Sequence, residues 1–129
     1  MSAKKRILVI DDDKSLADMV KMNLEGTGDY EVCVENRSTR ALQTARTFKP
    51  DLVLLDYIMP GLDGGDVSAQ LHEDPFLTKV PLIMVTALIS NQEMGADGTS
   101  KRGGHVMLAK PIKFQALLEC IEKQLAVTA

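Results

Sequence analysis

Cysteine and aromatic residues are scarce in this sequence, which limits the classes of protein that it can belong to. It has no tryptophan, and aromatic residues make up only 4% of its 129 positions. Its two cysteines, Cys33 and Cys120, do not have the spacing of metal ligands, so we expect thiols inside secondary structure. This usage argues against a cysteine-bound metal, and a reducing cytoplasm is the expected location.

An excess of basic residues and long apolar runs are lacking as well. Lysine and arginine number 15 against 18 acids, and the net charge of −3 does not indicate a nucleic-acid surface. No apolar run approaches the roughly 18 residues of a membrane span, and no signal-peptide pattern opens the chain. We therefore expect a protein with no nucleic-acid partner and no membrane contact, organised as one domain over residues 1–129.

What the chain does contain is a set of short apolar runs that alternate with helical patterns. Residues 52–55, Leu-Val-Leu-Leu, are typical of a strand that is buried on both faces. The other predicted strands cover residues 7–10, 30–35, 81–86 and 106–109. Apolar residues at helical spacing predict helices around residues 16–24, 41–48, 67–71 and 114–125. This alternation predicts an α/β fold, a parallel sheet covered by helices on both faces.

Capping residues and glycines refine this outline. Asp13 or Ser15 can cap the first helix, and Ser38 is expected to cap the second. Residues 88–104 hold four glycines and few apolar residues at helical spacing. They predict at most a short helix around residues 91–96, and the basic residues that follow are expected in a solvated loop.

Polar residues stand where the predicted strands end. Asp11 and Asp12 follow the first strand, Asp56 ends the third, Thr86 ends the fourth and Lys110 follows the fifth. Right-handed crossovers place the carboxyl ends of all parallel strands at one edge of the sheet, where α/β proteins bind their ligands. We therefore expect these five side chains to share one cleft.

The chemistry of such a cleft follows from its charges. Carboxylates about 4 Å apart repel each other by about 4 kcal/mol per pair at an effective dielectric constant near 20, so they attract a cation. An all-oxygen site with room for water suits Mg²⁺. Lys110 and Thr86 can bind anionic oxygens. Together with a nucleophilic carboxylate, these groups predict phosphoryl transfer onto Asp56.

Four motifs in this order resemble one known family. They are Ile-Asp-Asp-Asp at 10–13, Leu-Leu-Asp-Tyr-Ile-Met-Pro-Gly-Leu-Asp-Gly at 54–64, Val-Thr-Ala at 85–87 and Ala-Lys-Pro at 109–111. The chain is similar, over nearly its whole length, to the receiver domain of response regulators in two-component signalling. The resemblance implies a flavodoxin-like (βα)5 fold with a five-stranded parallel sheet of order 2-1-3-4-5.

The resemblance also implies a role for each site residue. Asp56 matches the phosphoacceptor, Thr86 the switch hydroxyl, and Lys110 the lysine that pairs with the phosphoryl group, before a cis proline bond. The implied Mg²⁺ ligands are Asp11, Asp12, Asp56 and the backbone carbonyl of Ile58. The implied phosphate donor is a sensor histidine kinase or a histidine phosphotransfer protein. With few residues after the last helix, the sequence favours a stand-alone receiver whose output runs through protein contacts.

Two other functions compete with this one. A non-phosphorylated docking module would keep the fold without the chemistry, although the complete set of site residues argues against it. A phosphatase of the haloacid-dehalogenase type requires a second Asp two residues beyond the nucleophile; this chain has Ile58 there, so the sequence disfavours that function.

Three departures from the family pattern carry further expectations. Met107 occupies the position of the usual aromatic switch residue, which predicts weaker or differently routed coupling between phosphorylation and output. Residues 88–104 differ from the family's well-formed fourth helix. Ile58 and Leu88 are apolar where relatives often carry polar groups, and this predicts a long-lived phosphorylated state.

Overall fold

The fold is built from alternating strands and helices. The computed structural model describes residues 4–86, 99–102 and 105–128. Its strands are β1 (Lys5–Ile10), β2 (Tyr30–Glu35), β3 (Leu52–Asp56), β4 (Leu82–Thr86), β5 (Thr99–Arg102) and β6 (His105–Ala109). Its helices are α1 (Lys14–Gly26), α2 (Ala41–Phe48), α3 (Gly64–Glu73) and α4 (Phe114–Thr128). None of these four helices has the length and apolar character needed to cross a membrane.

All strands belong to one sheet of order β2-β1-β3-β4-β6-β5. The strands β1, β2, β3, β4 and β6 are parallel to one another, and they correspond to the five strands predicted from the sequence. Counted along the chain without β5, these five strands have the order 2-1-3-4-5. The predicted parallel sheet and the flavodoxin-like fold are therefore confirmed.

The sixth strand was not predicted. β5 runs antiparallel to β6, with Thr99 opposite Leu108 and Arg102 opposite His105. The expectation that Lys101 and Arg102 lie in a loop is therefore wrong, because backbone pairing with the edge of β6 holds this polar segment as a strand. The short helix predicted around residues 91–96 lies outside the described residues.

The sheet separates two apolar layers, because successive residues of a strand point to opposite faces. On one face, residues such as Leu54 pack with α1 and α4; on the other, residues such as Leu55 pack with α2 and α3. Every residue of β3 is buried, as expected for the central strand. Cys33 is half-buried and Cys120 buried, and both are thiols as predicted.

The helix ends are set by local hydrogen bonds. Asp13 caps α1, because its carboxylate accepts from the Leu16 N–H at 3.1 Å. Asp63 caps α3 and forms a reciprocal capping box with Asp66. The prediction that Ser38 caps the second helix is wrong. Ser38 opens a short 3-10 turn before α2, and its hydroxyl bonds to a distant loop.

Candidate functional site

Five predicted site residues lie at the carboxyl edge of the sheet. Asp11 follows β1, Asp56 and Thr86 are the last residues of β3 and β4, and Lys110 follows β6. Asp56 is 4% exposed and Asp11 5%, which is unusual for carboxylates and requires charge partners or a bound cation. Asp12 is exposed to solvent.

Lys110 connects two of the acids. Its Nζ lies 3.3 Å from Asp56 Oδ1 and 3.5 Å from Asp11 Oδ2. All three side chains are largely buried, with the lysine about a quarter exposed. One ammonium thus faces two carboxylates, and this part of the site keeps an excess of negative charge.

Asp12 adds a third carboxylate to Asp11 and Asp56. Asp11, Asp12 and Asp56 each offer an oxygen, and these oxygens lie within 4.8 Å of one another. The Asp13 N–H donates to Asp11 Oδ1 at 2.9 Å, which fixes the Asp11 carboxylate at the start of α1. Three hard oxygen donors around one small space are a ligand set for a divalent cation such as Mg²⁺.

The pKa values reflect this crowding. Burial and then repulsion by Asp11 raise the pKa of Asp56 to about 6, although Lys110 opposes the shift. Burial lowers the pKa of Lys110, but the attraction of Asp11 and Asp56 outweighs it, so that the pKa is raised overall. The lysine therefore remains an ammonium, while Asp56 is a carboxylate that would gain from a bound cation.

The loop after Asp56 carries Ile58, the predicted backbone ligand. The Ile58 side chain is 55% exposed, whereas the neighbouring Met59 is buried against α2 and α3. The Tyr57 C=O accepts from the Gly64 N–H at 2.7 Å, which closes the loop onto α3. A Cβ at Gly64 would lie 2.7 Å from the Tyr57 Cα, so this closure requires glycine.

Thr86 and Lys110 are joined through the backbone. The Lys110 N–H donates to the Thr86 C=O at 3.0 Å, next to the register pair of Thr86 and Ala109. The Lys110–Pro111 peptide bond is cis, as the family resemblance implied. Both polar side chains are thus carried by neighbouring strand ends.

Met107 and Leu88 are positions at which the sequence departs from the family pattern. Met107, at the position of the family's aromatic switch, is buried in the layer that includes α2 and α3; its effect on coupling stays a prediction. Leu88 lies outside the described residues. Sequence reasoning missed Asn36, whose side-chain amide donates to the Asp11 C=O at 2.9 Å, and it misassigned Ser38.

Comparisons with known proteins agree with this architecture. The family profile of the response regulator receiver domain matches residues 7–122. The DNA-binding response regulator MtrA of Mycolicibacterium paratuberculosis is 37% identical over 122 residues, which are 95% of this chain and 52% of that protein. The chain thus spans about half the length of this curated relative.

Solved structures of receivers have the same fold. The Francisella response regulator 1452 receiver domain is 26% identical with a TM-score of 0.78, covering 98% of this chain and 100% of that one. The Vibrio cholerae chemotaxis protein CheY4 is 25% identical with a TM-score of 0.80, covering 94% and 98% of the two chains. By its sequence match and its fold, the chain belongs to the response regulator receiver domain family.

Proposed function

We propose that the chain is a phosphorylation-controlled signalling switch in which Asp56 accepts a phosphoryl group from a phosphohistidine of a partner protein. The observation that carries this proposal is the position of Lys110, 3.3 Å from Asp56 and 3.5 Å from Asp11, beside three clustered carboxylates. In a docking module without phosphorylation, this buried excess of negative charge would have no function.

The residues present fit a bound Mg²⁺. We propose that Asp11, Asp12, Asp56 and the backbone carbonyl of Ile58 hold the ion, with Asp11 acting mostly through water. The support is the all-oxygen donor set within 4.8 Å. When bound, Mg²⁺ would offset the negative charge of the cluster and attract the oxygens of a phosphoryl group.

Each side chain then has a defined task. The Asp56 carboxylate attacks phosphorus, so that an Asp56 O–P bond forms while the N–P bond of the phosphohistidine breaks. The imidazole leaves with the bonding electron pair and is protonated by solvent. Lys110 binds a phosphoryl oxygen and offsets the charge added at Asp56. Thr86, buried at the end of β4, supplies a hydroxyl that turns toward the phosphoryl group and so changes the nearby surface.

This switch requires a protein that donates the phosphoryl group. We propose a sensor histidine kinase or a histidine phosphotransfer protein as donor, in a cytoplasmic phosphorelay. The chain itself only assists its own phosphorylation and dephosphorylation. The curated relative described above is named as a DNA-binding regulator. The expectations of a stand-alone receiver and of no nucleic-acid partner stay predictions.

The test is incubation with acetyl phosphate and Mg²⁺, followed by intact-mass measurement. The wild-type protein and Asp18→Asn, which removes an exposed carboxylate on α1, should each gain one phosphoryl group. Asp56→Asn should gain none, and neither should the wild type in EDTA. If the wild type gains no phosphoryl group in Mg²⁺, the proposal is wrong, and the docking module becomes the better interpretation.

A further inference from the structure

Ser38 makes two hydrogen bonds to a loop that is distant from it in sequence. Its hydroxyl donates to the Pro60 C=O at 2.8 Å and accepts from the Leu62 N–H at 2.9 Å. The residue is only 3% exposed, so water offers little competition for either bond. One buried hydroxyl therefore satisfies a backbone acceptor and a backbone donor on both sides of Gly61.

The loop around Gly61 and the turn that carries Ser38 also approach each other closely. Gly61 has a φ of +84°, and a Cβ placed there would lie 3.0 Å from Ser38 Oγ. The loop backbone thus lies directly against the serine. On its other side, the buried Met59 anchors the same loop in the apolar layer. The backbone of Ile58 lies between this apolar anchor and the phosphoacceptor, Asp56.

Ser38 is itself held in place relative to the acids. Two residues earlier, the side-chain amide of Asn36 donates to the backbone C=O of Asp11 at 2.9 Å. Three residues later, α2 begins, directly after the 3-10 turn that Ser38 opens. The turn between β2 and α2 is therefore attached to the end of β1 through Asn36 and to the loop after β3 through Ser38.

We propose that Ser38 is a positioning residue for the metal and phosphoryl site: it sets the place of the loop that carries the Ile58 carbonyl relative to Asp11 and Asp56. This inference rests on the proposed function, because positioning matters only if the loop contributes a ligand. Without the hydroxyl, the Pro60 C=O and the Leu62 N–H lose their partner, and the loop samples more conformations. The cation then has to order the loop when it binds, and its affinity falls.

The test compares wild type, Ser38→Ala and Thr39→Ala in two measurements. Thr39 is the exposed neighbour in the same 3-10 turn and serves as the matched control. Amide hydrogen exchange in metal-free buffer reports on the Leu62 N–H, and calorimetric titration with Mg²⁺ reports affinity. In Ser38→Ala, we expect the Leu62 amide to exchange about tenfold faster and Mg²⁺ to bind roughly tenfold more weakly. Thr39→Ala should match the wild type in both.

A second comparison separates positioning from general stability. At saturating Mg²⁺, the rate of phosphorylation of Ser38→Ala by acetyl phosphate should return close to that of the wild type, because the cation restores the loop. If Ser38→Ala does not fold, Ser38→Cys serves instead, since a thiol has similar size but is a weak hydrogen-bond partner.

The outcomes distinguish this inference from the proposed function. If the wild type binds Mg²⁺ and Ser38→Ala binds it equally well, Ser38 has no positioning role, even when the variant melts at a lower temperature. If the wild type itself binds no Mg²⁺, the proposed function fails and the positioning role fails with it. Weaker Mg²⁺ binding in Ser38→Ala, with normal phosphorylation at saturation, supports the inference.

Discussion

Arg46 and Asp74 form an ion pair that ties α2 to the end of α3. The Arg46 Nε–H donates to Asp74 Oδ2, and the aspartate side chain is 2% exposed while the arginine side chain is 59% exposed. The other oxygen of Asp74 accepts from the Phe76 N–H at 2.8 Å. The pair borders a groove of about 670 Å³ that is also lined by Phe76 and whose lining includes none of Asp11, Asp12 and Asp56.

Replacing Asp74 should make the stability of the protein less sensitive to a fall in pH. The hydrogen bond from Arg46, followed by that from the Phe76 N–H, lowers the pKa of Asp74. The stabilisation is therefore complete above the ordinary aspartate value of about 3.9 and is lost as the pH falls through the lower folded value. Asp74→Asn should melt below the wild type at pH 7, and the difference should shrink in acid. Glu73→Gln, an exposed neighbour, should show no such trend, and an equal loss at every pH would contradict the prediction.

Neutralising Asp56 should stabilise the metal-free protein. The folded pKa of about 6 lies above that of an unfolded aspartate, so ionisation of Asp56 opposes folding as the pH rises between these two values. The shift from about 3.9 to about 6 corresponds to at most roughly 3 kcal/mol, which solvent screening reduces. In EDTA above pH 6, Asp56→Asn should therefore gain about 2 kcal/mol in free energy of unfolding, and the gain should vanish below about pH 4. Urea unfolding across this range measures it, with Asp18→Asn as control. A loss of stability at pH 7 would contradict the charge analysis.

Removing the Lys110 ammonium should destabilise the metal-free protein. Asp11 and Asp56 would then repel each other without a counter-charge. In EDTA at pH 7, Lys110→Met should lose roughly 1–3 kcal/mol, less than for a fully buried pair because the lysine is partly exposed. Mg²⁺ should recover part of the loss by replacing the missing positive charge. Lys113→Met, at an exposed position, should change little in urea unfolding. A Lys110→Met variant as stable as the wild type would exclude this role for the lysine.

Adding one methyl group at Gly64 should disrupt the start of α3. A Cβ there meets the Tyr57 Cα at 2.7 Å and the Asp56 C=O at 3.0 Å, and backbone atoms cannot move aside as a side chain can. We expect Gly64→Ala to lose about 3 kcal/mol or more. At Gly26, a Cβ would meet nothing within 4 Å, so Gly26→Ala should be neutral or slightly stabilising. Equal unfolding midpoints for the two variants would show that the loop can shift at low cost.

The phosphorylated state should be long-lived. Ile58 is 55% exposed and lies two residues after Asp56, the proposed phosphoacceptor, where an apolar side chain hinders an attacking water without offering it a hydrogen bond. Wild-type protein should keep its phosphoryl group for minutes or longer in Mg²⁺. Ile58→Gln should lose it severalfold faster, while Met22→Gln, at an exposed position on α1, should not. Loss within seconds from the wild type, without a phosphatase, would contradict the expectation.

The parallel sheet and the meeting of the acids could be predicted because both follow from simple rules. A strand buried on both faces needs continuous apolar residues, which made β3 recognisable. Once the strands are parallel, Asp56 and Lys110 must lie at the same edge, although more than fifty positions separate them in the sequence.

The misses have physical reasons as well. Ser38 bonds to backbone groups 22 and 24 residues away, and no local pattern indicates such partners. Its position before a helix pattern suggested a cap instead. The strand β5 has no apolar alternation; it is held by backbone pairing with β6, which only the assembled sheet provides.

The hydrogen bond from the Lys110 N–H to the Thr86 C=O limits the conformational changes that phosphorylation could cause. It joins the end of β4 to the residue after β6, the places of the hydroxyl and the lysine proposed to bind the phosphoryl group, so these strand ends cannot slide past each other without losing it. Arrival of a phosphoryl group would therefore be transmitted by rotation about side-chain bonds, while the ladder of the sheet keeps its alignment. The phosphorylated and unphosphorylated states would then differ mainly in the side-chain torsion angles of a few residues.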